Sequence, residues 1–120
     1  MHDKVFTSSA NKTILGHPTG RLLGRRPPMD LDFEALVQAC ADTGTAIEIN
    51  GSPDRMDLNG EQARFAMQRG VLISLASDAH APSNLDFMRY AVMLARRAWL
   101  EPRHVLNALP LAEFEAWLRR

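Results

Sequence analysis

The run VLISLAS, residues 71–77, is almost continuously apolar and carries no charge. A run of that length with apolar side chains on both faces suits a parallel strand covered on both sides. Two shorter strand-like runs precede it, TILG at 13–16 and TAIEIN at 45–50. Helical patterns separate the three. Phe33, Leu36, Val37 and Cys40 fall at i, i+3, i+4 and i+7, which predicts a helix from about Asp30 to Thr43. Asp30 or Asp32 can cap its start, and Gly44 supplies a left-handed stop. A second helix begins at Asn59, which stands in capping-box spacing with Gln62, and Gly70 ends it. Strands alternating with helices require crossover connections, so the fold class is α/β with about three parallel strands.

Beyond residue 80 the pattern turns helical, forming a set of closing C-terminal helices. SNLDFMRYAVMLARRAW places Leu85, Met88, Val92, Ala95 and Trp99 on one face, with Ser83 or Asn84 as the cap. Pro102 suits the first turn of a short helix through Leu109, and Pro110 opens a last one with Leu111, Phe114 and Leu118 inward. No repeat, low-complexity tract or linker interrupts the chain, which reads as one compact unit.

Composition narrows the function. The formal charge is zero, with 14 Lys+Arg against 14 Asp+Glu, so the basic excess of a free-standing nucleic-acid binder is missing. No apolar run approaches the ~18–20 residues of a membrane span, and MHDKVFTSSANKT lacks a signal peptide's apolar core. These features fit an unexported protein with no membrane partner. The one cysteine, Cys40, reads as a small core residue in a reducing, cytoplasmic setting. There is no GxGxxG, Walker loop, GxSxG elbow or CxxC pair.

In sheets of this class, sites gather on the loops that follow the carboxyl ends of strands. Here those loops hold the chemically capable residues. His17 follows the first strand in GHPTGR, and Asp78 and His80 follow the third in SDAH. If the backbone stays extended, positions 78 and 80 project to the same side. A carboxylate and imidazoles converging suit Mn²⁺, Zn²⁺ or Fe²⁺. The competing reading of Asp78 is a cap for the next helix.

Glu48 lies inside the apolar strand AIEIN and admits two readings. It faces outward or pairs with an arginine such as Arg21 or Arg55, or it orients a ligand histidine from outside the metal shell. Asn50 can share the second task or simply shape the turn with Gly51. Arg21, Arg25, Arg26 and Arg55 occupy the same loops, and Arg21 is the candidate for a bidentate phosphate contact. His2, in the terminus, and His104, with no neighbouring ligand type, read as bystanders.

Taken together, ILGHPTGRLLGRRP, TAIEINGSPDRMDLN, ISLASDAH and MRYAVMLARRAWL resemble the C-terminal part of the PHP (polymerase and histidinol phosphatase) domain of bacterial and archaeal family X DNA polymerases. The resemblance covers residues 13–120; residues 1–12, with only His2 and Asp3 as candidate ligands, form a divergent N-terminal segment. It implies a distorted (β/α)₇ barrel with a multinuclear metal cluster at its strand ends. It also implies a metal-dependent phosphoesterase of the 3′–5′ exonuclease type, acting in DNA repair on DNA or phosphate esters. His17, Asp78 and His80 match metal ligands of that family, and Glu48 falls in its EIN strand. The family's opening His-x-His motif is absent. A complete β/α barrel takes ~200 residues or more. The resemblance therefore implies the final portion of a barrel, a partial PHP-type fold. Its exposed edges favour self-association or a partner chain that supplies the rest. The alternatives are a non-catalytic PHP remnant that binds metal weakly or acts in assembly, and a metallohydrolase on a related barrel acting on amides.

Overall fold

A computed structural model of the chain describes residues 12–119. Its centre is an open sheet of three parallel strands in the order β1 (Ile14–Leu15), β2 (Ala46–Asn50), β3 (Ile73–Ala76). Ile14 is level with Ala46, and Glu48 and Asn50 with Ser74 and Ala76. Because strand side chains alternate, this register puts Leu15, Ile47, Ile49, Ile73 and Leu75 on one face, and Ala46, Glu48, Asn50, Ser74 and Ala76 on the other.

The first face carries the main core. Helix α1 (Phe33–Thr43) lays Leu36, Val37 and Cys40 against Ile47, Ile49 and Ile73. Its ends follow the predicted chemistry. The Asp32 carboxylate accepts the Ala35 N–H at 3.1 Å, and Gly44 closes the helix at φ 69°. The start falls at Phe33 rather than Asp30, because the cap that forms is Asp32. Helix α2 (Gly60–Gln68) opens on the expected reciprocal box, with Asn59 and Gln62 each accepting the other's backbone N–H, and buries Ala63 and Ala66. Helix α3 (Met88–Arg97) packs on α2, β2 and β3. It comes close: a Cβ on Gly51 would meet Phe87 O at 2.5 Å and Ala91 N at 2.8 Å.

Three expected helices differ in detail. The segment before α3 is a 3₁₀ helix, Pro82–Phe87, with no side-chain cap, so neither Ser83 nor Asn84 performs that role. A 3₁₀ helix turns in 3.0 residues rather than 3.6, which shifts the phase of everything after it. Ala91, Leu94 and Ala95 face inward, whereas Leu85 and Trp99 are exposed. The short helix predicted from Pro102 divides into two 3₁₀ turns, Pro102–His104 and Leu106–Ala108. Helix α4 (Leu111–Arg119) buries Trp117, while Leu111 and Leu118 are exposed. Trp117 and Leu106 close over Ala46, with Phe114 beside them, covering the second sheet face where the strands begin.

The outer edge of β3 is sealed. Val105 forms a parallel bridge with Ile73, and the Asn107 side chain donates to Leu75 O at 2.9 Å and accepts Leu75 N–H at 2.8 Å. One amide thereby satisfies both edge groups of Leu75.

Candidate metal centre

Glu48 and Asn50 stand on the second sheet face at the carboxyl end of β2. Asn50 is 1% exposed, and its Nδ2 lies 3.2 Å from Glu48 Oε1 and 3.1 Å from Asp78 Oδ2. Its Oδ1 accepts the Ser52 N–H at 3.0 Å. An amide with two N–H donors and a carbonyl acceptor is chemically suited to this place. It holds two carboxylates at the strand ends and starts the loop after β2. Glu48 also accepts the His17 N–H at 2.9 Å. Among the described residues its partners are thus N–H groups of His17 and Asn50, and neither Arg21 nor Arg55 pairs with it.

His17 begins the loop after β1 at φ 25°, and Asp78 begins the loop after β3 at φ 55°. Left-handed backbone is uncommon for residues with side chains and concentrates where the surroundings impose it. The chain does not remain extended at Asp78, so the simple alternation expected for positions 78 and 80 does not apply. A different contact relates them. His80 Nδ1 lies 2.8 Å from Asp78 O. A carbonyl only accepts, so Nδ1 carries a proton, and in the neutral ring the lone pair then lies on Nε2. Histidines that bind metals through Nε2 are held in this way.

A further carboxylate organises the site from below, and sequence reasoning missed it. Asp57 is fully buried; its Oδ2 accepts the N–H groups of Thr19 and Gly20, each at 3.0 Å. Asp57 also exchanges backbone hydrogen bonds with Asn50. The loop carrying His17 is thus fastened to the loop after β2. Arg21 adds to the fastening: its Nε donates to Arg55 O at 2.8 Å and its Nη2 to Met56 O. Two of the five N–H donors of Arg21 are thereby engaged within the chain. Arg55 returns a longer contact, Nη1 to Arg21 O at 3.4 Å. Only the spacing of acids in PDRMDLN hinted at Asp57, since the N–H groups it holds lie 37 and 38 residues away.

His17, Asp78 and His80 line one concavity of about 460 Å³, together with Ser52, Arg55 and Phe87. Arg55 Nε stands 3.8 Å from Asp78 Oδ2. Among the described residues, no three of His, Cys, Asp and Glu form a group that could hold a metal ion. The candidate ligands thus share a wall without converging on a point. Their donor types nonetheless fit a divalent cation. Two imidazoles, one with Nε2 set free, and a carboxylate already attended by a positive group make a mixed nitrogen and oxygen set. His2 and Asp3 lie outside the described residues. His104 Nδ1 accepts the Glu101 N–H at 2.9 Å.

No protein-family model matches the chain. Individual relatives do. The chain is 41% identical over 119 residues to the DNA polymerase/3′–5′ exonuclease PolX of Bacillus subtilis, a match that takes in 98% of this chain and 21% of that protein. It is 27% identical over 113 residues to a "probable phosphatase" of Edwardsiella ictaluri, covering 89% of this chain and 44% of the relative. A second "probable phosphatase", from a Thermoanaerobacter species, is 29% identical over 100 residues, covering 78% and 38%. The chain thus spans about a fifth of the polymerase and less than half of each phosphatase. Its resemblance is to the C-terminal part of PolX, and the phosphatases fit a PHP-type domain.

Proposed function

We propose, from the premise that this chain is related along its length to the C-terminal part of a DNA polymerase/3′–5′ exonuclease, that it is part of a metal-dependent phosphoesterase module. Residues 13–120 are the C-terminal portion of a PHP barrel, and the similarity to the polymerase, over 98% of the chain, reaches into residues 1–12 as well. The observation that carries this reading is the Asn50 amide. It ties Glu48 to Asp78 beside His17 and His80, at the strand ends of a chain similar to an exonuclease and to phosphatases.

In this reading His17, Asp78 and His80 hold a divalent cation, and further ligands come from polypeptide outside this set. Such a cation lowers the pKa of bound water and polarises a phosphate oxygen. The chain's own residues do the positioning. Glu48 and Asp57 set the His17 loop, Asn50 sets Asp78, and the Asp78 carbonyl orients the His80 ring through Nδ1. The substrate is DNA or another phosphate ester. The buried Cys40 fits a reducing, cytoplasmic setting, and no helix among the described residues is long and apolar enough to cross a membrane.

The absence of a three-donor group among the described residues favours a second reading, a non-catalytic PHP remnant that binds metal weakly or serves assembly. Hydrolysis of nitrophenyl phosphate and of single-stranded DNA, with Mn²⁺ or Zn²⁺ added, separates the two. Metal-stimulated release of nitrophenol or nucleotide is expected. No hydrolysis at any metal concentration assigns this chain to the second reading.

A further inference from the structure

Four arginines lie in the loops around the concavity, and three are committed elsewhere. Arg21 holds two carbonyls of the loop after β2, Arg26 Nε donates to Gly20 O at 3.0 Å, and Arg25 pairs with Asp54 where both are largely exposed. Arg55 alone of the four lines the concavity with His17, Asp78 and His80. Its side chain is 18% exposed, that of Asp78 31%. Two contacts restrain its guanidinium, one of 3.4 Å to Arg21 O and one of 3.8 Å to the Asp78 carboxylate. The second is a charge contact, too long for a hydrogen bond. A group with five N–H donors is thus held in place chiefly by opposite charge, with most of its donors unspent.

We propose that Arg55 is an exchangeable counter-cation: it neutralises Asp78 until a divalent cation takes that carboxylate, and the released guanidinium then contacts an anionic phosphate oxygen in the concavity. This rests on the reading of Asp78 as a metal ligand. The physical reason is simple repulsion. A divalent ion on the Asp78 carboxylate, whose Oδ2 already accepts the Asn50 N–H, would stand within a few ångströms of a guanidinium that has one other contact, of 3.4 Å to Arg21 O. Metal and arginine therefore compete for one carboxylate. The planar fork, once displaced, matches the geometry of a phosphate. Arg55 is accordingly a weakener of metal binding and a strengthener of phosphate binding, two effects of opposite sign.

Calorimetric titration of the purified chain with Mn²⁺ alone, and then with thymidine 5′-monophosphate at saturating Mn²⁺, reads both. Arg55→Gln should tighten Mn²⁺ about threefold to tenfold, as expected for removing a partly screened competing charge. The same variant should weaken the nucleotide about tenfold or more, for loss of a charge-assisted bidentate contact. Arg55→Lys, which keeps the charge and loses the fork, should hold wild-type Mn²⁺ affinity while weakening the nucleotide. Adding Asp78→Asn to Arg55→Gln should abolish the Mn²⁺ gain. Should the glutamine variant not fold, the Arg55 Nε–Hε resonance of the unsubstituted protein gives a second reading. It should shift on Zn²⁺ addition and again on adding nucleotide.

Weakening of both ligands by Arg55→Gln would mean a merely structural arginine and overturn the exchange, as would an unmoved resonance. Equal Mn²⁺ affinity in wild type and Arg55→Gln removes the exchange and leaves the metal reading standing. No Mn²⁺ binding by either protein removes both.

Discussion

At the scale of single residues, the site depends on polar groups that are buried and fully engaged. Asn50 and Asp57 are both almost inaccessible, and no buried side-chain nitrogen or oxygen among the described residues lacks a hydrogen-bond partner. Replacing Asp57 by Ala strands the Thr19 and Gly20 N–H groups away from water. The expected cost is ~2–4 kcal/mol of stability, measured by urea unfolding. Unchanged stability would mean that the His17 loop is held by other contacts. Cys40 makes a different test. Burial pushes its thiol up to about 11, so the thiol stays neutral and shielded at ordinary pH. A disulfide reagent at pH 8 should leave it unmodified in the folded protein and label it promptly in denaturant; fast labelling of the native state would contradict its burial. The sign of the pH dependence follows. The unfolded thiol ionises first, near 9.0, so its contribution to stability is intact below that pH and is lost as pH rises toward about 11. Cys40 was legible from its place on the apolar stripe of α1. Asp57 was not, because nothing near it in the chain shows that its partners are backbone groups of Thr19 and Gly20.

At the scale of elements, local chemistry sets the ends and long-range packing sets the faces. Asp32, Gly44 and the Asn59–Gln62 box could be read from neighbouring residues, since a cap involves only the first or last turn of its own helix. The inward face of α3 could not. It depends on the 3₁₀ turn before it, and on Gly51, where the backbone at Phe87 and Ala91 approaches too closely for a side chain. Gly51→Ala should therefore destabilise by ~1–3 kcal/mol in a thermal or urea melt, through displacement of α3 from β2. A neutral result would show that α3 yields without cost. The exposed ring of Trp99 also has a local explanation, with the Arg64 guanidinium 4.0 Å from its centroid. Trp117 is buried instead of Leu118 because it stacks with Phe114, ring centroids 6.1 Å apart, over Ala46 and Leu106. The seal at Asn107 gives a further test, read by urea unfolding. Asn107→Ala uncovers both edge groups of Leu75 and should cost ~1–2 kcal/mol.

For the whole molecule, the two edges of the sheet are unequal. The β3 side is closed by Val105 and Asn107, whereas β1 is the other edge of the sheet among the described residues. Beside it a mainly apolar concavity of about 450 Å³ is lined by Ile14, Leu106, Leu109, Leu111 and Phe114 together with Ser74 and Asn107, and Ile14, Leu111 and Leu118 are exposed. Apolar surface of this kind favours association. Sedimentation of the chain should show concentration-dependent oligomers, reduced by Leu111→Lys; a monomer at every concentration would contradict this expectation. The α/β class and the order of elements were readable at this scale from the alternation of runs. The meeting of loops after β1, β2 and β3 was readable only as a consequence of that class. How closely the candidate ligands approach one another was not readable, because it depends on positive φ at His17 and Asp78 and on the reach of the Asn50 amide.

The proposed function stands on His17, Asp78 and His80 binding one divalent cation together. Metal titration of the purified chain and of Asp78→Ala, followed by calorimetry and by metal content after dialysis, decides whether they do. Saturable binding of Mn²⁺ or Zn²⁺ by the wild type is expected, with a loss of about tenfold or more in affinity when Asp78 is removed. Equal stoichiometry and affinity in the two proteins, or no binding by the wild type, would take Asp78 and the shared cation out of the proposal.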